Sequence, residues 1–303
     1  MALDTLSFRL GAYMNEISRG DRARLRRRFV LAAMATGIIV LAACGNGASA
    51  RPYLFWADGI GVIGRADLNG TGVNQSFIGT GRTFPYMLTV SSGYLYWTNQ
   101  LSGTIGRAEL NGTGVSERFI TGASTPVGIA VSSRYIYWAN NATGTIGRAN
   151  LDGTGVNQHF ITTAQPRGPD AVVLDSRHIY WANDYSIGRA NLDGTDVNQQ
   201  FITVPNGPKG VAGLDVTSRY IYWSNEGGGA IGRADLDGTG VNQRFITGAV
   251  GPTDLAVGSG YIYWTNPDSG TIGRADVDGT GVNQQLITVQ AGRPLGVTLV
   301  PGS

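Results

Sequence analysis

Apolar and polar residues follow one another along most of this chain in short alternating runs, and the runs recur. From Val127 the sequence reads VGIAVSSR, YIYWAN, NATGT, IGRANLDGTG, VNQHFIT. The apolar run Gly128–Val131 predicts one strand. Tyr135–Ala139, dominated by β-branched and aromatic residues, predicts a second. Thr145–Leu151 and Gln158–Thr162 predict a third and a fourth. Between the last two lies Asp152-Gly153, a pair that favours a tight hairpin turn. The unit then repeats. All six tryptophans fall at one position of it: Trp56, Trp97, Trp138, Trp181, Trp223 and Trp264, spaced by 41, 41, 43, 42 and 41 residues.

Six units of four strands at this period predict an all-β fold, a six-bladed β-propeller with four-stranded antiparallel blades. A propeller closes on itself, and the sequence carries the closure. The first unit begins abruptly at Tyr53-Leu54-Phe55-Trp56 and lacks its own first strand. Pro294–Val300, at the other end, matches the first strand of the third unit, Pro126–Ser132. The C-terminal strand is therefore expected to be the inner strand of blade 1, removing the open edges of a linear array. The propeller is assigned to residues 51–303.

The repeat resembles the YWTD, or LDL-receptor class B, family. That family carries Tyr-Trp-Thr-Asp on the second strand of each blade, after a Gly-Leu-Ala-Val-like strand and before a Leu-Asp-Gly turn. Here the blades read Tyr96-Trp97-Thr98-Asn99 and Tyr263-Trp264-Thr265-Asn266, with Tyr-Trp-Ala-Asn or Tyr-Trp-Ser-Asn elsewhere and Phe55-Trp56-Ala57-Asp58 in blade 1. The resemblance covers residues 51–300 and implies the propeller fold. It departs at the last position, where five of six blades carry Asn. Propeller families similar to this one include enzymes. Streptogramin lyases use a His and a metal, and gluconolactonase-type lactonases hold a divalent metal in the central channel.

Charge changes the picture only at the N-terminus. The formal net charge is +2, but residues 1–43 hold seven Arg and three acids. The remainder has 16 of the 23 basic and 18 of the 21 acidic residues, with Lys209 its one lysine. No basic patch with interleaved aromatics is present, so nucleic acid is not an expected partner. Arg26-Arg27-Arg28 precedes an apolar stretch, Phe29–Ala43, of signal-peptide length. It ends Leu41-Ala42-Ala43-Cys44-Gly45, which resembles a bacterial lipobox. The sole cysteine, Cys44, stands where lipid attachment requires it and excludes an internal disulfide. Residues 1–50 are thus read as signal peptide and short tether, exported and lipid-anchored at Cys44. The alternatives are plain secretion after cleavage at Ala50, export by a twin-arginine route, and a true start at Met14.

Candidate chemistry divides into what repeats and what does not. A residue present once per blade is scaffold first. The six tryptophans are expected to wedge between blades. Arg65, Arg107, Arg148, Arg189, Arg233 and Arg274 recur on the third strand, read as buried stems with paired guanidinium groups; the sharper alternative is a ligand-binding ring. The Asp-x-Asp-Gly-Thr-Gly segments lack the other ligands of a calcium loop and are read as hairpin turns.

Function is expected where the repeats disagree, on the rim formed by the loops between blades and those joining strands two and three. The candidates for ligand contact are Arg82, Phe84, Tyr86, Arg167, Asp170, Tyr185, Lys209, Glu226, Asp254 and Arg293. The expected function is non-catalytic binding of a protein, peptide or glycan outside the cytoplasm, by a monomer without a cofactor. The alternative is a propeller enzyme, lactonase-like or streptogramin-lyase-like, with a metal at the central channel. Asp170 and Asp254 are its weak candidate ligands. The two histidines, His159 and His178, replace scaffold residues and have no evident nucleophile beside them.

Overall fold

The computed structural model describes residues 52–81, 83–163, 168–204, 210–290 and 292–300. These form six four-stranded antiparallel sheets, the blades of a six-bladed β-propeller. A single 3-10 turn at Asn141–Thr143 is the one helical segment among them. Blade 3 shows the pattern: Pro126–Val131 innermost, then Tyr135–Asn140, Thr145–Asn150 and Asn157–Thr162 outermost. Cys44, Arg82, Arg167 and Lys209 lie outside the described residues.

The ring closes as its ends predict. Blade 1 consists of Pro294–Val300, Tyr53–Asp58, Val62–Asp67 and Asn74–Gly79, in that order across the sheet. Tyr53 faces Val300, and Trp56 faces Val297. The C-terminal strand thereby supplies partners for a second strand whose backbone groups are buried.

Strand periodicity explains how one repeat builds six interfaces. On Tyr53–Asp58 the residues Leu54 and Trp56 pack with Tyr263, Ile272 and Ile287 of blade 6. Their neighbours Phe55 and Ala57 pack with Leu88, Leu95 and Trp97 of blade 2. Alternation to opposite faces of a strand gives each blade two apolar faces, so no interior face remains for solvent. Every tryptophan is fully buried in such an interface. The indole also lies on a glycine of its own blade's third strand: Gly64, Gly106, Gly147, Gly188, Gly232 or Gly273. A Cβ at any of these would overlap the ring.

The last residue of each Tyr-Trp-x-Asn segment is buried, and its chemistry accounts for the departure from Asp. Asn140 Nδ2 donates to the Gln158 carbonyl across the blade, while its Oδ1 accepts from Ser124 N in the preceding loop. Asn266 does the same with Gln284 and Val250. A carboxylate has no donor for the carbonyl. Blade 1 has Asp58 instead, accepting from Ile60 N and Arg293 N, and burial pushes its pKa up against those bonds.

The repeated arginines are held by aromatic faces. The guanidinium of Arg148 sits 4.4 Å from the centroid of Tyr135 and 3.9 Å from that of Phe160. Arg65, Arg107 and Arg233 have the same two-ring clasp. Blade 4 replaces the Tyr with His178, and blade 6 replaces the Phe with Leu286; Arg189 and Arg274 each stack on the remaining ring. The six are rivets of the scaffold, and stacking is the pairing that the strand pattern alone did not reveal. The Phe also reaches the next blade, for Gly153 of the Asp-Gly turn rests on Phe119 and Gly194 on Phe160.

Candidate functional site

The two ends of the ring differ. At one end, Asp152 accepts from both the backbone N–H and the hydroxyl of Thr154. Asp193, Asp237 and Asp278 do the same, and Asn69 and Asn111 substitute for Asp in blades 1 and 2. The Thr bonds hold the four Asp carboxyls below their usual range. These oxygens close a turn, which is the hairpin reading of the Asp-Gly segments.

At the opposite end the loops vary, and they bring several of the candidate residues together at the mouth of the central channel. Tyr86 is the second residue of the inner strand of blade 2, Pro85–Ser91. Its phenol is pushed up to about 12, first by burial and then by the carboxylates of Asp170, Glu226 and Asp254, with Arg293 opposing. These residues come from five blades and share one electrostatic field. Such a phenol stays protonated at physiological pH and offers a hydrogen-bond donor, not a base. Asp170 accepts from Asn141 Nδ2 at 2.8 Å. Arg293 Nη2 lies 2.8 Å from Asp268 Oδ1, an exposed pair on the outer lip.

On the same rim, three side chains of the loops joining strands two and three are largely exposed. Leu101 is 73% exposed, Ile60 61% and Tyr185 55%. Phe84 lies between the first two, its ring against Gly59 and its carbonyl accepting from Gln100 N. Phe84 adopts a positive φ of 61°, as does Thr125 (50°) at the matching place in blade 3. Both precede a proline, which disfavours the right-handed helical region. A positive φ is costly for an aromatic residue. Neither Ile60 nor Leu101 is among the expected ligand contacts, although Leu101 lies in one of the varying loops that join strands two and three. Their signal is a large aliphatic side chain, which no other loop between strands two and three carries.

Below the mouth the channel narrows. Around the ring, the inner strands carry Met87, Gly128, Ala171, Gly213, Asp254 and Gly296 at one level. A Cβ on Gly128 would strike the backbone at Ala171–Val172, one on Gly213 would strike Asp254, and one on Gly296 would strike Tyr86–Met87. The blades therefore approach in pairs, and alternate blades supply the side chains of the neck. A cavity of about 80 Å³ lies there, walled by Met87, Ala171, Asp215, Asp254, Leu255 and Val297 among others.

Its two acids are bound across blade boundaries. Asp254 Oδ2 accepts from Val297 N at 2.9 Å, joining blade 6 to blade 1. Asp215 Oδ2 accepts from Val257 N at 2.6 Å, joining blade 5 to blade 6. Burial pushes the Asp215 carboxyl up to about 6 and the Asp254 carboxyl well above its usual range, the Asp215 charge adding to the latter. Asp215 was missed by sequence reasoning, although it is the one acid at a position where other inner strands have Thr, Ala or Val. Asp170 and Asp254 both act on Tyr86, but no group of three metal-ligating acids, histidines or cysteines occurs among the described residues.

The histidines lie elsewhere. His178 opens the second strand of blade 4 at the Asp-Gly end, with Nδ1 3.3 Å from Asp175 Oδ2, an oxygen that also accepts from Tyr180 Oη. His159 is exposed on an outer strand.

No protein-family model matches the sequence, and no curated protein matches it. Solved structures do. The chain is similar to a chain of a nidogen/laminin complex, at 21% identity and a TM-score of 0.67, covering 82% of this chain and 98% of that one. It is similar to virginiamycin B lyase from Staphylococcus aureus, at 21% identity and a TM-score of 0.60, over 82% and 86%. A streptogramin B lyase matches at 20% and 0.57, over 82% and 87%. What they share with this chain is the fold. The YWTD-like repeat propeller stands, and its neighbours include both a binding complex and lyases.

Proposed function

We propose that this chain is an extracytoplasmic, non-catalytic binding module that takes a protein, peptide or glycan on its variable rim, and that it is held at a membrane by lipid on Cys44. The observation that carries the binding reading is the asymmetry between the two rims. One rim spends its polar groups on closing turns. The other exposes Leu101, Ile60 and Tyr185 on the loops of the same end at which Tyr86, Asp170, Glu226, Asp254 and Arg293 share one field. Apolar anchors next to a polar cluster are what a recognition surface needs. The nidogen/laminin neighbour shows that a ring of this kind occurs in a protein complex. The lipid anchor rests on the lipobox-like Leu41–Gly45 and the sole cysteine. The test is to pass envelope proteins and glycans over immobilised full-length protein. A species lost with Phe84→Ala/Tyr86→Ala and kept with Thr154→Ala supports the assignment; the reverse pattern overturns it.

A lyase is the second reading, favoured by the likeness to two streptogramin-type lyases. A histidine variant of virginiamycin B lyase is inactive and was captured with quinupristin. In this chain the histidines lie on the Asp-Gly rim and an outer strand, so a channel chemistry would fall to Asp170, Asp254 and Tyr86. Loss of intact quinupristin on incubation with the protein and a divalent metal, read by mass spectrometry, would establish this reading.

A further inference from the structure

One blade boundary departs from the pattern that ties the others. On the outermost strand, five blades carry a glutamine at one position, Gln75, Gln158, Gln199, Gln243 and Gln284, and blade 2 carries Glu117. In four of those five, the amide nitrogen donates across the boundary to the carbonyl of the last residue on the preceding blade's outer strand. Gln75 reaches Thr288 O at 3.0 Å, Gln158 Thr121 O at 3.3 Å, Gln199 Thr162 O at 2.9 Å and Gln284 Thr247 O at 3.1 Å. The corresponding carbonyl for Glu117 belongs to Gly79, the last residue of Asn74–Gly79 in blade 1.

The carboxyl lies as the amides do. Its Oε2 takes the place of the amide oxygen, accepting from Trp97 Nε1 and from Asn99 Nδ2, each at 3.3 Å, as Gln158 Oε1 accepts from Trp138 and Asn140. Oε2 also accepts from the Thr83 hydroxyl at 3.2 Å. Oε1 therefore stands where the other blades have the amide nitrogen. It is buried and has no hydrogen-bond partner. An ionised carboxyl offers only acceptors, and it would turn this one toward a carbonyl oxygen. A protonated carboxyl has a donor to give, and with Trp97, Asn99 and Thr83 already on Oε2, Oε1 is the oxygen left to carry the proton.

Burial pushes the Glu117 carboxyl above its usual range, with the bonds from Trp97, Thr83 and Asn99 opposing. None of those partners is charged, and the strand it faces in blade 1, Asn74–Gly79, has no titratable residue. Arg107, opposite Ser116 in the register, is stacked between Tyr94 and Phe119. Arg118, next in the chain, is exposed, and Arg82 lies outside the described residues.

We propose that Glu117 is a proton-operated tie between blades 1 and 2. With a proton on Oε1 it donates to the Gly79 carbonyl and closes this boundary as glutamine closes the others; on losing the proton it lets go. The folded state favours the protonated form, so the contribution of the tie is full below about pH 4.3, the usual glutamate value, and is lost as pH rises through the raised one. Thr83, held by the same carboxyl, immediately precedes Phe84, so the change occurs beside a loop of the variable rim.

The test uses the full-length protein in detergent, labelled with carbon-13 and nitrogen-15. NMR reads the Gly79 carbonyl carbon through the Thr80 amide and the Glu117 carboxyl carbon directly, between pH 8 and 4. The two are expected to move with one midpoint, above the usual glutamate value. In Glu117→Gln, which installs the residue five blades already carry, the Gly79 carbon should sit at its acid position at every pH. A Gly79 carbon that stays put while Glu117 titrates overturns the tie, as does a Glu117 midpoint at or below the usual value. Thermal melts give a second reading. Glu117→Gln should melt about 2–4 °C above the wild type at pH 8, the worth of one hydrogen bond in a domain of this size, and level with it at pH 4. An equal margin at both pH values, or a lower melting temperature at pH 8, overturns the proposal.

Discussion

At the Asp-Gly rim, Thr71, Thr113, Thr154, Thr195, Thr239 and Thr280 each bond the side chain two residues before them. At the variable rim, Gly81-Arg82-Thr83-Phe84 precedes one inner strand and Gly122-Ala123-Ser124-Thr125 the next, while longer loops precede the inner strands of blades 4 and 5. The first rim repeats because its residues solve one local problem six times: closing a hairpin over an apolar side chain of the preceding blade, a Phe in five cases and Leu286 in the sixth. The second varies because nothing in the ring dictates its loops beyond where they begin and end. Repetition therefore marks the groups that hold the propeller, and its failure marks the groups available for something else.

The largest effect belongs to closure. Removing residues 290–303 strips blade 1 of its inner strand and leaves one edge of Tyr53–Asp58 without partners, the other edge still pairing with Val62–Asp67. Each buried group so exposed costs about 1–3 kcal/mol, against a whole-domain stability of about 5–15 kcal/mol. Loss of cooperative melting or aggregation is expected, whereas removing residues 1–50 should leave the melting temperature of the ring unchanged. A truncation at 290 that melts like the intact ring would contradict the closure.

Next comes the repeated Trp-on-Gly contact. Gly147→Ala drives a methyl into the Trp138 indole, and overpacking of this kind costs about 1–3 kcal/mol or more. Arg148→Ala removes a cation from two rings and should cost about 1–2 kcal/mol. Both are read in denaturant melts. On the variable rim, Phe84→Gly is expected to be neutral or slightly stabilising, because it relieves a positive φ, while weakening ligand binding.

The pH dependence of stability distinguishes channel from rim. Asp215 and Asp254 have pKa values raised by burial, so the fold favours their protonated forms. The Asp215 contribution is full below about pH 4, the usual carboxyl value, and is lost as pH rises through about 6. It is at most about 3 kcal/mol. Asp152, Asp193, Asp237 and Asp278 are held below their usual range and act in the opposite sense, losing their contribution as pH falls through that lowered range. Stability should therefore peak between about pH 4 and 6. Asp254→Asn keeps an oxygen for Val297 N without the buried charge, and should raise the melting temperature at pH 8. A melting temperature that climbs steadily from pH 5 to 8 would count against the channel assignment. Smallest of all is Asp268→Ala, which breaks an exposed ion pair with Arg293 and should change stability by less than about 1 kcal/mol.

The fold was legible because its signals are local and repeated: period-2 strands, Asp-Gly turns, six tryptophans, and a C-terminal segment matching the strand that blade 1 lacks. The site was legible only in part. Tyr86, Asp170, Glu226, Asp254 and Arg293 stood out as departures from the repeat, and the structure brings them to one mouth. Asp215 did not stand out, because its role depends on an amide of the next blade, 42 residues away. The aromatic clasp on the arginines was hidden for a similar reason. Strand alternation places Arg148 on a face, but not against a ring from the strand beyond it.

The central claim is that binding belongs to the variable rim and the repeated rim is scaffold. It is tested most directly by placing a photoreactive amino acid at Leu101 or at Thr154 in the full-length protein and irradiating the producing cells. A discrete protein or glycan adduct at Leu101, lost with Phe84→Ala/Tyr86→Ala, and none at Thr154, is the expected result. A discrete adduct at Thr154 with none at Leu101 would contradict it.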